Sequence, residues 1–135
     1  MTRNACELAR TLYDAFSRGD VATVMDCLDA NVEWTLLGPS VIPYFGVYRG
    51  HEQVQQFFGK YLDALEILEF CPEEFIDAGD RAVVLGRERC IVRSTGKEYS
   101  TQWAHVYEAK NGKIIQWNEY IDTVPMYEAF ELSSR

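Results

Sequence analysis

The chain has only two histidines, His51 and His105, and its four cysteines, Cys6, Cys27, Cys71 and Cys90, stand far apart with no Cys-x-x-Cys among them. A structural or catalytic zinc needs three or four such ligands at short local spacings, so no metal site is expected. The cysteines sit among apolar neighbours and read as reduced thiols in the core of a cytoplasmic protein. Basic residues are also few, 13 Lys and Arg against 21 Asp and Glu, for a net charge of −8. That balance repels phosphate and argues against nucleic acid or an anionic membrane surface as partner. No apolar run approaches the length of a membrane span, and the opening MTRNACELAR lacks a signal-peptide stretch. A Gly-rich phosphate loop and a Ser-His-Asp pattern are missing too, and no cofactor is expected.

What is present suffices for one domain spanning residues 1–135. Apolar residues make up 47% of the chain, enough for a single core with room for one small pocket. Ala5, Leu8, Ala9, Leu12 and Phe16 recur at helical spacing between a cap at Asn4 and a stop at Gly19. Asp20 opens a short second helix with Val21, Val24, Met25 and Leu28 on its stripe. Residues 31–37 alternate as a strand. The apolar, Gly/Pro-broken segment 41–48 reads as a loop covering something apolar, either a pocket rim or a dimer contact. A third helix starts at Gly50, where His51 reads as an ordinary exposed helix-start residue. Residues 65–77 form a strand that Pro72 confines to an edge or a bulge. Residues 81–93 form the next strand, and residues 123–132 form a closing helix after Pro125. Helices followed by a long antiparallel meander imply an α+β fold.

The richest stretch is residues 97–122, two β-prone runs flanking Asn111-Gly112, the strongest short hairpin signal. Pairing outward from Lys110 and Lys113 sets Tyr107 against Gln116, His105 against Asn118, Trp103 against Tyr120 and Thr101 against Asp122. Those eight then share one face. Ala104, Val106, Ile115, Trp117 and Ile121 take the other. Extending the register puts Gly86 beside His105, Glu88 beside Trp103 and Cys90 beside Thr101, with Arg87, Arg89 and Arg93 turned away. A face that mixes His, Asp, Asn and aromatic rings reads as a partly polar cavity or as a solvated face.

The segments SRGDVATVMDCLDANVEW, YFGVYRGHEQVQQFF and WAHVYEAKNGKIIQWNEYIDT resemble the NTF2-like superfamily, and within it the SnoaL-like, ketosteroid-isomerase-related proteins. The resemblance implies an α+β cone, three N-terminal helices on the concave face of a strongly curved, mostly antiparallel sheet, and commonly a homodimer through the sheets. It also shows departures. The position of the isomerase's base falls at Trp34, that of its oxyanion tyrosine at Leu12 beside Tyr13, and that of its protonated acid at His105. An isomerase mechanism of that form lacks its base here. The SnoaL-type cyclases imply a histidine and an aspartate on late strands, and His105 and Asp122 lie in that neighbourhood. The superfamily's epoxide hydrolases use an Asp-Arg-Asp arrangement, but the arginines near Glu88 are predicted to face away.

His105 is the candidate proton carrier, since imidazole titrates near neutrality, although a histidine in an apolar sheet is also a common core residue. Asp122 is its candidate partner across a bound ligand, or else a cap of the following turn. Tyr120 and Asn118 are candidates to orient a carbonyl or enol oxygen. Trp103, Trp34 and Tyr13 read as pocket walls, and Glu88 as a third acid or an exposed residue. Three functions stay open: a cofactor-free acid–base enzyme (isomerase, aldol cyclase or dehydratase) acting on a small hydrophobic carbonyl compound, a non-catalytic binder of such a ligand, and a dimeric assembly module whose cavity its own rings fill.

Overall fold

The first two helices begin where the chain supplies a capping side chain. Residues 3–131 are described by the structure, a computed structural model. In α1 (Ala5–Ser17) the Asn4 side chain accepts from the Glu7 N–H and the Glu7 carboxylate accepts from the Asn4 N–H, each at 2.9 Å, a reciprocal capping box. Asp20 caps α2 (Val21–Asp26) in the same way through the Thr23 N–H. The chain continues through β1 (Leu28–Leu36), β2 (Gly46–Arg49), α3 (Gly50–Ala64), β3 (Leu65–Ala78), β4 (Arg81–Val92), β5 (Glu98–Lys110), β6 (Lys113–Ile121) and α4 (Val124–Phe130). Two expectations shift. The first strand begins at Leu28, and the supposed loop 41–48 ends in a short edge strand because Gly46 to Arg49 pair antiparallel with β1. Of the predicted closing helix, Leu132 lies outside the described residues.

The six strands form one curved, unclosed sheet in the order β2-β1-β6-β5-β4-β3. All neighbours are antiparallel except β1 and β6, which run parallel. β3 is an edge strand with irregularities at Ile67/Glu69 and Pro72/Glu74, so Pro72 occupies both settings that suit a residue without an N–H donor. The inner face carries alternate residues of each strand, among them Trp34, Val84, Tyr107, Ile114 and Trp117, against the buried sides of α1 and α3. His51 ties the start of α3 to the first strand through its Nε2 and the Leu28 carbonyl, 2.9 Å apart.

The hairpin turns where expected, with Asn111 and Gly112 at φ 54° and 76° and Lys110 opposite Lys113. One residue later the register departs from the expectation. Ala109 pairs with Ile114 but Glu108 pairs with Gln116, so Ile115 is an extra residue in a β-bulge. Every later side chain of β6 changes face. Tyr107 therefore meets Trp117, His105 meets Glu119 and Trp103 meets Ile121, while Asn118 and Tyr120 lie opposite Val106 and Ala104. Trp117 and Ile121, assigned to the outer face from the sequence, turn inward. On the other side of β5 the expected register is off by two residues, which preserves the faces: Val84 meets His105, Gly86 meets Trp103 and Glu88 meets Thr101.

At Gly86 the space is already taken. A Cβ there would press on the Trp103 indole and lie 2.6 Å from the Cys71 carbonyl oxygen, and backbone cannot yield as a flexible side chain does. Gly86→Ala is expected to cost about 3 kcal/mol and to lower the unfolding midpoint by roughly 10 °C. A thermal melt within 2 °C or so of the parent would show that the neighbouring strand can shift.

Candidate active site

Tyr13 leaves the buried side of α1, one helical turn before Phe16, and reaches across to the sheet. Its hydroxyl and His105 Nδ1 share a hydrogen bond of 2.7 Å. On the far side of the ring, His105 Nε2 lies 2.8 Å from Glu119 Oε2. The three side chains thus form one chain of hydrogen bonds, Tyr13–His105–Glu119, and both ring nitrogens of His105 are occupied within it. Trp103 holds the imidazole flat, its ring parallel to within 8° at a centroid distance of 3.8 Å.

Burial decides the charges. His105 is 2% exposed, and loss of water pushes its imidazolium form well below the ordinary histidine range. The same desolvation pushes the Glu119 carboxyl up to about 8. Near neutral pH the pair is a hydrogen bond between uncharged groups rather than an ion pair. Two neutral arrangements fit these distances, and the one in which the Glu119 O–H donates to Nε2 puts the Nδ1–H on the Tyr13 oxygen and leaves the Tyr13 O–H free to donate. Burial raises the Tyr13 phenol as well, with smaller contributions from Tyr107 and from the Glu119 charge. The chain therefore carries no resident charge, ends at Tyr13, and has the geometry a proton relay requires.

The relay faces a chamber of about 40 Å³ lined by Tyr13, Trp34, Phe58, Phe70, Trp117 and other rings. That is room for a few waters, far below the roughly 300 Å³ at which small-molecule sites begin. A second, outer cleft of about 450 Å³ lies between the end of α1, α3 and β3 and shares Tyr13, Phe16, Phe58 and Phe70 with the chamber. Among the described residues, the Nε1 groups of Trp34, Trp103 and Trp117 and the hydroxyls of Tyr44 and Tyr107 are buried without a hydrogen-bond partner. Of these donors, Trp34, Tyr107 and Trp117 line the chamber, and no lysine or arginine does. Such an interior suits a neutral guest that accepts hydrogen bonds.

Glu88 forms a separate buried group. It is 3% exposed, accepts from the Tyr99 hydroxyl at 2.6 Å, and has the Cys90 thiol at 3.9 Å. Burial, with the nearby Glu119 charge second, pushes its carboxyl up to about 8. Arg87 and Arg89 face outward and pair with Glu69, Glu73 and Glu98. No group of three or more His, Cys, Asp and Glu among the described residues could hold a metal ion.

Of the residues singled out from the sequence, the structure brings together His105, Trp103, Trp34 and Tyr13. Trp34 is a wall, stacked on Trp117 at 3.9 Å and 14°. The bulge takes Asn118 and Tyr120 to the outer face, where Tyr120 is 62% exposed. Asp122 is exposed beyond the end of β6, and its carboxylate accepts from the Val124 N–H at 3.1 Å, capping the next turn. Of the two readings of Asp122, the cap of the following turn is the one its carboxylate makes, and Asp122 does not line the chamber with His105. Glu119, the acid that does meet His105, was missed. The signal was the adjacent pair Ile114-Ile115, which breaks the alternation at the bulge.

A cone of helices on a curved six-stranded sheet, with its polar centre on the inner face, defines an NTF2-like protein. The family model for the SnoaL-like domain matches residues 9–117, and the chain belongs to that family. An NTF2-like protein from Burkholderia thailandensis E264 is 26% identical, with a TM-score of 0.88 over 96% of this chain and 99% of that one. An NTF2-like protein of unknown function from Burkholderia pseudomallei K96243 is 30% identical, with a TM-score of 0.84 over 91% and 94%. TerC, co-crystallised with polyporic acid, is 25% identical, with a TM-score of 0.81 over 92% and 95%. No curated protein matches the chain.

Proposed function

We propose that this protein is a small-molecule pocket protein performing cofactor-free acid–base chemistry on a small hydrophobic carbonyl compound. The observation that carries this reading is the buried, uncharged Tyr13–His105–Glu119 relay. His105 has no free nitrogen, so Tyr13 is the member that meets the ligand. As solvent water takes the α-proton from carbon and the carbonyl oxygen gains enolate character, the Tyr13 hydroxyl donates to that oxygen, His105 re-protonates Tyr13, and Glu119 supplies the proton through Nε2, leaving an enol and an ionised Glu119. With Glu119 ionised, the chain runs in reverse and takes the proton back. The unpartnered indole and phenol donors support the same choice of an oxygen acceptor in the ligand. TerC's co-crystallisation with polyporic acid supports a ligand-holding cavity in this fold.

The test is proton exchange. With 2-tetralone in heavy water, the protein is expected to speed deuterium incorporation beside the carbonyl above the buffer rate, read by NMR. Binding of the ketone without any acceleration would favour a non-catalytic binder. Neither binding nor exchange, for 2-tetralone or a panel of related ketones, would favour an interior filled by its own rings, a reading that the 40 Å³ chamber supports.

A homodimer through the outer sheet face, in the cytoplasm, is part of the proposal. The face shows Ile76, Leu85 and Tyr120 at 42%, 38% and 62% exposure, and all four cysteines are free thiols. No helix among the described residues is long and apolar enough to cross a membrane. Light scattering at micromolar concentration is expected to give twice the chain mass, and Leu85→Glu to halve it. A parent that scatters as a single chain would remove this part.

A further inference from the structure

We propose that the place the Phe70 ring now fills beside Trp103 is a ligand subsite for a flat apolar ring, and that Phe70 vacates it on binding. The ring of Phe70 lies 5.2 Å from that of Trp103 at 25°. The His105 imidazole stacks on the Trp103 indole to within 8° at 3.8 Å, and the Tyr13 ring lies 6.1 Å from both Phe70 and Trp103 and 5.9 Å from His105. The four rings thus form a compact cluster beside the relay, with Phe70 6.4 Å from the imidazole and only partly buried on the edge strand. Replacing one flat ring by another keeps the stacking, whereas a bulky saturated group loses it.

Phe70 is also the residue best placed to move. It belongs to an edge strand, on the short stretch between the irregularities at Ile67/Glu69 and Pro72/Glu74, and it is only partly buried. Trp103, by contrast, is fixed in the middle of the sheet with its ring against Gly86. Phe70 lines both the 450 Å³ cleft and the 40 Å³ chamber, and its ring packs 5.2 Å from that of Phe16 on α1. The outer cleft is large enough for a small organic molecule and the inner chamber is not. When the phenyl ring swings out, the two spaces join and a flat ligand takes its place beside Trp103 and Tyr13. The subsite rests on the proposed function only for where the ligand's oxygen ends up. Ring binding itself is independent of turnover.

The experiment measures binding of 2-naphthol by titration calorimetry, beside its saturated analogue decahydro-2-naphthol, to the parent and to Phe70→Ala. In the parent the closed state must first be opened, which weakens the observed affinity by the fraction of molecules that are open. Phe70→Ala is expected to bind 2-naphthol at least about tenfold more tightly, with a much smaller gain for the saturated analogue. Phe70→Leu, which keeps most of the core volume, should fall between and serves if the alanine variant does not fold. Equal affinity of parent and variants for 2-naphthol overturns the proposal. So does an equal gain for the saturated analogue, which would make the space a plain cavity. Exchange by the parent separates the two readings: ring binding that responds to Phe70 as expected, while the parent itself exchanges no ketone, leaves the subsite standing and removes the acid–base function. Exchange that proceeds with no effect of Phe70 on ring binding does the reverse.

Discussion

Tyr13→Phe, His105→Gln and Glu119→Gln are each expected to lower the rate of ketone exchange by about 10² to 10⁴, the usual contribution of a positioned proton donor, while leaving binding largely intact. Because the three act as one chain, the double variants should lose little more than the single ones. The pH profile distinguishes a relay from three independent groups. Glu119 holds its proton below about 8, so the parent's exchange rate should fall as pH rises through that value. Glu119→Gln should lack that limb altogether. Asp122→Asn, at an exposed turn cap, should leave the rate unchanged. Full activity in Tyr13→Phe would place the reacting group elsewhere in the cone.

Stability should fall as the solution becomes alkaline. Glu88 and Glu119 are both raised in the folded protein from the ordinary 4.5 to about 8. A raised carboxyl contributes stability that is fully present below its unfolded value and is lost as pH rises through the folded one. His105 is shifted the opposite way, so its contribution is complete above its ordinary 6.5 and is lost as pH falls below it. Between pH 6.5 and about 8 the histidine is silent and the two glutamates act together. The net charge of −8 adds self-repulsion of the same sign. Ionising two carboxyls inside the cone costs on the order of a few kcal/mol, so the melting temperature should drop by roughly 10 °C between pH 6.5 and 9. Glu88→Gln and Glu119→Gln should each flatten about half of that slope. A melting temperature that holds steady or rises over this window would falsify the assignment of both acids as neutral.

The comparison of sequence with structure turns on one residue. Helix starts were legible because caps are local: Asn4 with Glu7 and Asp20 with Thr23 are contacts within three positions. The hairpin was legible for the same reason, since Asn111-Gly112 names its own turn. The site was legible on β5 and illegible on β6. His105 and Trp103 keep their face whatever the partner strand does, whereas Glu119, Asn118 and Tyr120 depend on parity counted from the turn. Ile115 changes that parity. Tyr13 read only as a wall because contact between α1 and the sheet spans 92 positions, which no local pattern encodes.

The lone parallel pair in the sheet constrains how the chain folds. β1 has only the four-residue β2 beside it until β6 arrives, and Trp34 pairs with Trp117 across most of the sequence. Strand β1 and the wall it carries therefore stay without their main partner until the last strand has emerged from the ribosome. The hairpins of β3 to β6, whose contacts are closer in sequence, are able to assemble first. The proton relay has the same history, because Glu119 sits on that last strand and Tyr13 on the first helix. Until Glu119 joins the other two, the interior holds no finished Tyr13–His105–Glu119 hydrogen-bond chain, and that chain and the β1–β6 seam are completed in a single late step.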